Sequence, residues 1–154
     1  IGDEGARAIA RMRGLKSLNL VSNRIGDGGA RAIAGMEGVK SLNLANNRIG
    51  DEGARAIARM RGLKSLNLVR NRIGTGGARA IAGMEGVESL NLAWNGIRAA
   101  GAAVLAESNL SLAVKKGLLE QGIISKAQYE AAERREQERI AMISSSVNQA
   151  ATTV

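Results

Sequence analysis

Apolar residues fall in two alternating arrangements along residues 1–97. In Leu15-Lys16-Ser17-Leu18-Asn19-Leu20-Val21-Ser22-Asn23-Arg24-Ile25 they take the first, fourth and sixth positions, with Asn ninth and Ile eleventh. Leu18 and Leu20 alternate with polar residues at strand spacing, so both point inward while Ser17 and Asn19 point outward. Ahead of this stretch, Ala6, Ile9 and Ala10 share one face at helical spacing, with Met12 close by. The strand pattern returns at Val39–Ile49, Leu63–Ile73 and Val87–Ile97, a period of 24 residues. The pattern predicts short parallel strands near 17–20, 41–44, 65–68 and 89–92, each preceded by a helix that packs on the sheet.

Four units follow one another, at 1–24, 25–48, 49–72 and 73–96. The first and third differ only at Ser22 and Arg70, and the second and fourth only at Asp27/Thr75, Lys40/Glu88, Asn46/Trp94 and Arg48/Gly96. The larger unit is therefore a pair of coils, duplicated. Asp3, Asp27, Asp51 and Thr75 suit helix N-caps, because a side-chain oxygen there accepts from otherwise unpaired amides. Arg7, Arg31, Arg55 and Arg79 face outward, and Asp3, Asp27 and Asp51 stand four residues before the first three to offset their repulsion. Arg11, Arg13, Arg59 and Arg61 alternate with Glu37 and Glu85 along one edge, which predicts opposite charges on neighbouring coils. Asn23, Asn47, Asn71 and Asn95 follow the strands. A buried Asn has to bond both sides of its amide, and a stack of them bridges backbone groups of adjacent coils. These four form a structural ladder rather than a ligand set.

The repeat decays after Ile97. Ala99 cannot cap a helix, and Leu110, Leu112 and Val114 fit either a last short strand or the first turn of a helix. The division expected is a solenoid over 1–109, with four full repeats and a decayed fifth. A C-terminal cap and helical hairpin follow over 110–143, and then a tail over 144–154. Gly122 ends a short helix over Leu112–Gln121. Ser125 starts a longer one, with Gln128 completing a capping box and Ile124 placed to staple onto Tyr129. The tail has no periodicity, as in segments that stay disordered or lead to further sequence. No polar capping unit stands before Ile1, so strand 17–20 is expected to present an unpaired edge that self-associates or is covered by a preceding segment.

Composition narrows the chemistry. Phe, Cys and His are absent, and Trp94 and Tyr129 are the only aromatics. Much of the apolar content is Ala, which suits a thin core shared between stacked coils. Without Cys or His there is no disulfide, no zinc site of the usual type and no Cys or His nucleophile or base. Neither a cofactor nor a metal is expected, and no catalytic constellation stands out, so an enzyme is the least favoured class. No apolar run reaches the ~18 residues of a membrane span and no signal peptide opens the chain. Residues 1–96 carry 15 Lys and Arg against 8 Asp and Glu, and residues 97–154 carry 7 against 6. The basic part favours an acidic partner and also attracts nucleic acid without specificity.

The strand pattern L-x-x-L-x-L-x-x-N-x-I-G, followed by a G-A-x-x-I-A helix, resembles leucine-rich repeats of the GALA type. These are 24-residue repeats of bacterial effector proteins, related to the ribonuclease-inhibitor class. The resemblance implies an α/β, right-handed solenoid with a parallel concave sheet and convex helices. It also implies a protein-binding role, located in the cytoplasm or, for an effector, inside a host cell. Some such proteins join ubiquitin-ligase complexes through an F-box, which this sequence does not contain. The stretch Leu118–Ser125 with Tyr129 resembles a short C-terminal helical hairpin that bacteria use in oligomerisation.

Candidate contact residues are those that break the repeat. One column differs in all four units: Ser22, Asn46, Arg70 and Trp94. Beside it, Lys16, Lys40 and Lys64 give way to Glu88. Trp beside Arg is the composition of a binding hot spot, and the alternative is that Trp94 folds over the decayed repeat. Three functions remain: a protein-interaction module using the concave face, which is favoured; a structural solenoid stacking end to end; and nucleic-acid binding through the basic columns. The last is disfavoured, because a single Trp cannot supply the stacking platforms such grooves use.

Overall fold

The computed structural model describes residues 1–153. Its elements alternate as the periodicity predicts: α1 Gly2–Ile9, β1 Ser17–Asn19, α2 Asp27–Ala34, β2 Ser41–Asn43, α3 Asp51–Ala58, β3 Ser65–Asn67, α4 Thr75–Ala82 and β4 Ser89–Asn91, then α5 Ala99–Glu107, α6 Leu112–Glu120 and α7 Lys126–Thr152. The strands form one parallel sheet in the order β1-β2-β3-β4, with Leu18, Leu42, Leu66 and Leu90 in register. Each helix packs on the next along the stack. The architecture is an α/β repeat solenoid whose described residues end in three helices without a further strand.

Between sheet and helices lies a core of repeated residues, among them Ala30, Ile33, Leu42, Leu44 and Ile49 in the second coil. Leu110, Val114, Leu118 and Ile124 belong to the same cluster, so the cap continues the core. Residues 108–114 make no strand: Ser111 caps α6 by accepting from the amide of Val114 at 3.2 Å. The free edge of β4 is closed by one side chain. Gln121 accepts from the amide of Leu92 at 2.8 Å and donates to the carbonyl of Leu90 at 2.9 Å, as a further strand would. Its amide offers one acceptor and two donors, enough to complete the edge of a short strand.

The aspartates act differently from the sequence reading. They are the first or second residues of their helices, and none caps its own. Asp27 Oδ1 instead accepts from the amides of Gly50 at 2.8 Å and Gly53 at 2.9 Å, which begin the helix of the next coil. Asp51 does the same for Gly74 and Gly77, at 2.7 and 2.9 Å, and Asp3 accepts from Gly26 at 2.7 Å. Capping therefore runs between coils and ties each helix to its successor. Gly53 has to be glycine for this, since a Cβ there would stand 2.7 Å from Asp27 Oδ1 and 2.7 Å from Ile49 Cγ2. Thr75 has lost the carboxylate, and the residue its predecessors would cap has changed from Gly to Arg98. The interaction lapses where the repeat does.

Among the described residues the aspartates make no ion pair within 4 Å with the arginine column. Arg31 pairs with Glu52 of the next coil at 3.2 Å, and Arg55 reaches the same carboxylate at 3.7 Å. Both pairs are exposed, so each contributes at most about 1 kcal/mol. Among the described residues, no ion pair within 4 Å joins Arg11, Arg13, Arg59 or Arg61 to Glu37 or Glu85. Helix α7 starts with the capping box of Ser125 and Gln128 and runs to Thr152. Residues 144–152 thus continue a helix rather than forming a disordered tail, and residue 154 lies outside the described residues.

Candidate functional site

Both candidate rows flank the strands, at opposite ends. Lys16, Lys40, Lys64 and Glu88 each stand one residue before a strand, and Ser22, Asn46, Arg70 and Trp94 three residues after it. The structure therefore gives two parallel rims, separated by the Ser and Asn columns of the sheet.

Along the lysine rim the side chains all lean toward the following coil. Lys16 Nζ and Lys40 Nζ lie 3.3 and 2.9 Å from where a Cβ on Gly38 or Gly62 would be, and both glycines have positive φ. Lys64 continues the lean, donating to the carbonyl of Gly86 at 3.5 Å and standing 4.0 Å from Glu88. Glu88 thus supplies a counter-charge where the row ends, a local reason for its departure from Lys.

The other rim has an unusual backbone. Ser22, Asn46, Arg70 and Trp94 all have positive φ, at 60°, 56°, 53° and 58°. That left-handed region costs a non-glycine residue about 1–2 kcal/mol, with Asn the usual exception. The turn is set up by the strand itself: Asn19, Asn43, Asn67 and Asn91 each accept, through Oδ1, from the amide two residues on, at 3.0–3.1 Å. Such local bonds favour turns over continued strand. Neighbours in the rim pair off. Asn46 donates to Ser22 Oγ at 2.8 Å, and the guanidinium of Arg70 lies 5.6 Å from the centre of the Trp94 ring, a cation–π distance. Trp94 is 76% exposed, so it does not cover the decayed repeat. The cap is filled by Leu105, Leu110, Val114 and Leu118 instead.

Beneath this rim runs the asparagine ladder. Asn71 Nδ2 donates to the carbonyls of Leu44, Leu68 and Val69 at 3.0–3.3 Å, while its Oδ1 accepts from Ile49 at 2.9 Å. Asn47 and Asn95 repeat the arrangement one coil either side, Asn47 adding the amide of Asn23. Asn23 bonds within its own coil, to Val21, and to the amino group of Ile1. Each inner Asn therefore joins two coils on the strand side, as each Asp does on the helix side.

A strand, an asparagine bridge and a helix recurring every coil are the signature of one family, and the leucine-rich repeat model matches residues 13–73 and 37–97, together more than half of the chain. The chain belongs to the leucine-rich repeat family. Repeats of this family generally serve protein–protein interaction. No curated protein matches the chain by sequence. Among the described residues, no helix is long and apolar enough to cross a membrane. No group of His, Cys, Asp or Glu there is placed to hold a metal ion.

Sequence reasoning missed two features of this leucine-rich repeat protein. The left-handed rim had a readable signal in the Asn two residues before Val21 or Ala45, whose side chain forms an Asx turn. The other is Lys115, which is 6% exposed although its position on α6 gave no sign of burial.

Proposed function

We propose that this leucine-rich repeat protein binds a protein partner on the sheet side of the solenoid, with Trp94 and Arg70 as the anchor. One observation carries the reading. Trp94 is the largest side chain in the molecule, it holds a left-handed backbone, and it is mostly exposed with Arg70 beside its ring. Smaller residues serve the same turn at Ser22 and Asn46, so the scaffold does not require an indole there. A partner that desolvates the ring supplies the missing reason, and Trp and Arg are the residue types most enriched in hot spots. Lys16, Lys40 and Lys64 add an electrostatic approach for an acidic partner, altering association rate more than affinity. Asn46 and Ser22 extend the anchor along the rim, and Glu88 acts mainly on Lys64. The GALA-like repeats fit the recognition part of a bacterial effector. The role assigned is binding, with no catalysis. Stacking of whole chains through β4 is disfavoured, since Gln121 occupies that edge.

Trp94 is the only tryptophan and reports on its own site. Affinity capture from a host or bacterial lysate should recover a partner with the wild type and lose it with Trp94→Ala, at unchanged thermal stability. Adding the recovered partner should shift Trp94 emission to the blue. Retained capture by Trp94→Ala, or emission that stays that of a solvated indole, removes this assignment. Loss of capture in a Lys16/Lys40/Lys64→Ser variant and after nuclease treatment, with Trp94→Ala unaffected, moves the reading to nucleic acid.

A further inference from the structure

Beyond the repeats, the chain gathers cations around one cleft. Helices α5, α6 and α7 border an opening of about 680 Å3 lined by the cations Lys115, Arg135 and Arg139 and the carboxylates Glu107 and Glu136, among others. Lys115 is buried beside Val114, on the side of α6 that meets the core. Its ammonium donates to the carbonyl of Ser108 at 2.7 Å. An ammonium has three donors, so two remain without an acceptor among the described residues. Among the described residues no carboxylate lies within 4 Å of it.

Arg135 is in a similar state: it donates to the carbonyl of Ala106 at 3.0 Å and has no ion-pair partner within 4 Å among the described residues. Both cations thus end α5 by meeting its last carbonyls, where positive charge is favoured. The carboxylates nearby offer little relief. Glu136 is held by Arg139 at 2.6 Å, and Glu107 is exposed to solvent. Burial first, and then the charge of Arg135, hold the Lys115 pKa below the usual lysine range, with Glu136 opposing them. A buried charge whose counter-charge is shared with other cations is costly, and a bound anion lowers that cost. The first turn of α6 lines the same cleft through Ser111 and Leu112, adding the positive end of a nine-residue helix.

We propose that this cleft is an oxyanion-binding site, in which the free donors of Lys115 and the guanidinium of Arg135 grip a phosphate or carboxylate group. It lies outside both rims of the sheet and does not depend on the partner reading. A carboxylate and a phosphate present the same anionic oxygens, and planar or tetrahedral geometry separates them by titration.

The full chain is titrated with inorganic phosphate and, separately, with acetate, at constant ionic strength set with sodium chloride, and followed by calorimetry and thermal denaturation. A saturable heat and a rise in Tm are expected with at least one of the two anions. Arg135→Gln and Lys115→Met should each weaken that binding at least tenfold. Arg135 is exposed, so its variant folds and decides the matter should Lys115→Met fail to fold. No saturable response to either anion, or binding unchanged in Arg135→Gln, overturns the site. A Lys115→Met variant with raised Tm beside a wild type that binds neither anion shows that Lys115 only ends α5, and overturns it as well.

Discussion

Coils one and three have the same sequence except at Ser22 and Arg70, yet they hold different amounts of core. Their local geometry agrees in the turns and the inter-coil cap, although coil one departs at its outer end, where Gly2 has φ of 64° and its equivalent Gly50 −100°. Gly14 and Gly62 have φ of 81° and 82°, Asn19 and Asn67 make the same turn, and Asp3 and Asp51 cap the next helix at the same 2.7 Å. Their burial does not agree. Met60 is 8% exposed and Met12 54%, and Leu66 is buried where Leu18 is only half-buried. Coil three has a neighbour on each side and coil one has a neighbour on one side only. A coil's sequence thus sets its strand turn and its cap on the next coil, and stacking sets how much core that shape encloses. Equivalent substitutions in the two coils measure the stacking term directly.

The largest contrast is expected in the sheet. Leu66→Ala should cost about 2–5 kcal/mol, because it empties a site that neighbours on both sides cannot collapse into, and Leu18→Ala less than about 2 kcal/mol. Urea denaturation of both variants tests this, and equal losses would mean that coil one is covered in solution. Next comes the ladder. Asn71→Ala strips four hydrogen bonds and leaves buried carbonyls and an amide unpaired, a loss of about 2–3 kcal/mol, whereas Asn23→Ala should lose about 1 kcal/mol. A ladder that mattered equally in both coils would give equal midpoint shifts.

The helix side is a smaller test. Asp51→Ala should cost about 1–2 kcal/mol, as other lost caps do, although the helix it weakens is α4 and not its own α3. Thr75→Asp should restore a cap to α5 and raise the melting temperature. Amide exchange that quickens at Gly50 and Gly53, rather than at Gly74 and Gly77, in Asp51→Ala would contradict capping between coils. The smallest effect belongs to Trp94→Asn. Relief of the left-handed backbone, less a lost cation–π contact of about 0.5–1 kcal/mol, leaves a net gain of at most about 1.5 kcal/mol. A variant that gains stability and loses its partner marks a residue kept for function. A loss above that size would make Trp94 structural.

Much of the fold was legible because the signal repeats. The returning Leu-x-x-Leu-x-Leu pattern located each strand, and the strands end one residue earlier than expected, where the Asn of each coil turns the chain. The capping box of Ser125 and Gln128 was legible because all its partners lie within four residues. The partners of Asp27 lie 23 and 26 residues away, and the spacing that suits a cap on its own helix is satisfied equally by the helix of the next coil. Trp94 stood out as a departure from the repeat, but contact and cap are both apolar roles, and only its exposure separates them. Lys115 sits beside Lys116 on a short helix, and sequence cannot tell which of two adjacent lysines turns inward. The packing of α5 and α7 around it decides that.

The sequence by itself determined the coil: its period, its strand and helix, the asparagine at each turn and the column where the repeats diverge. These depend on contacts within one unit or on a pattern copied between units, and copying makes a weak local signal strong. Tertiary structure alone decided which residues gain from a neighbour. It placed each aspartate over the next helix, put Gln121 where another strand would lie, buried Lys115 and left Trp94 in solvent. Those outcomes depend on groups that meet only when coils stack, since the free energy of burial or of a hydrogen bond belongs to both partners and a linear pattern names only one.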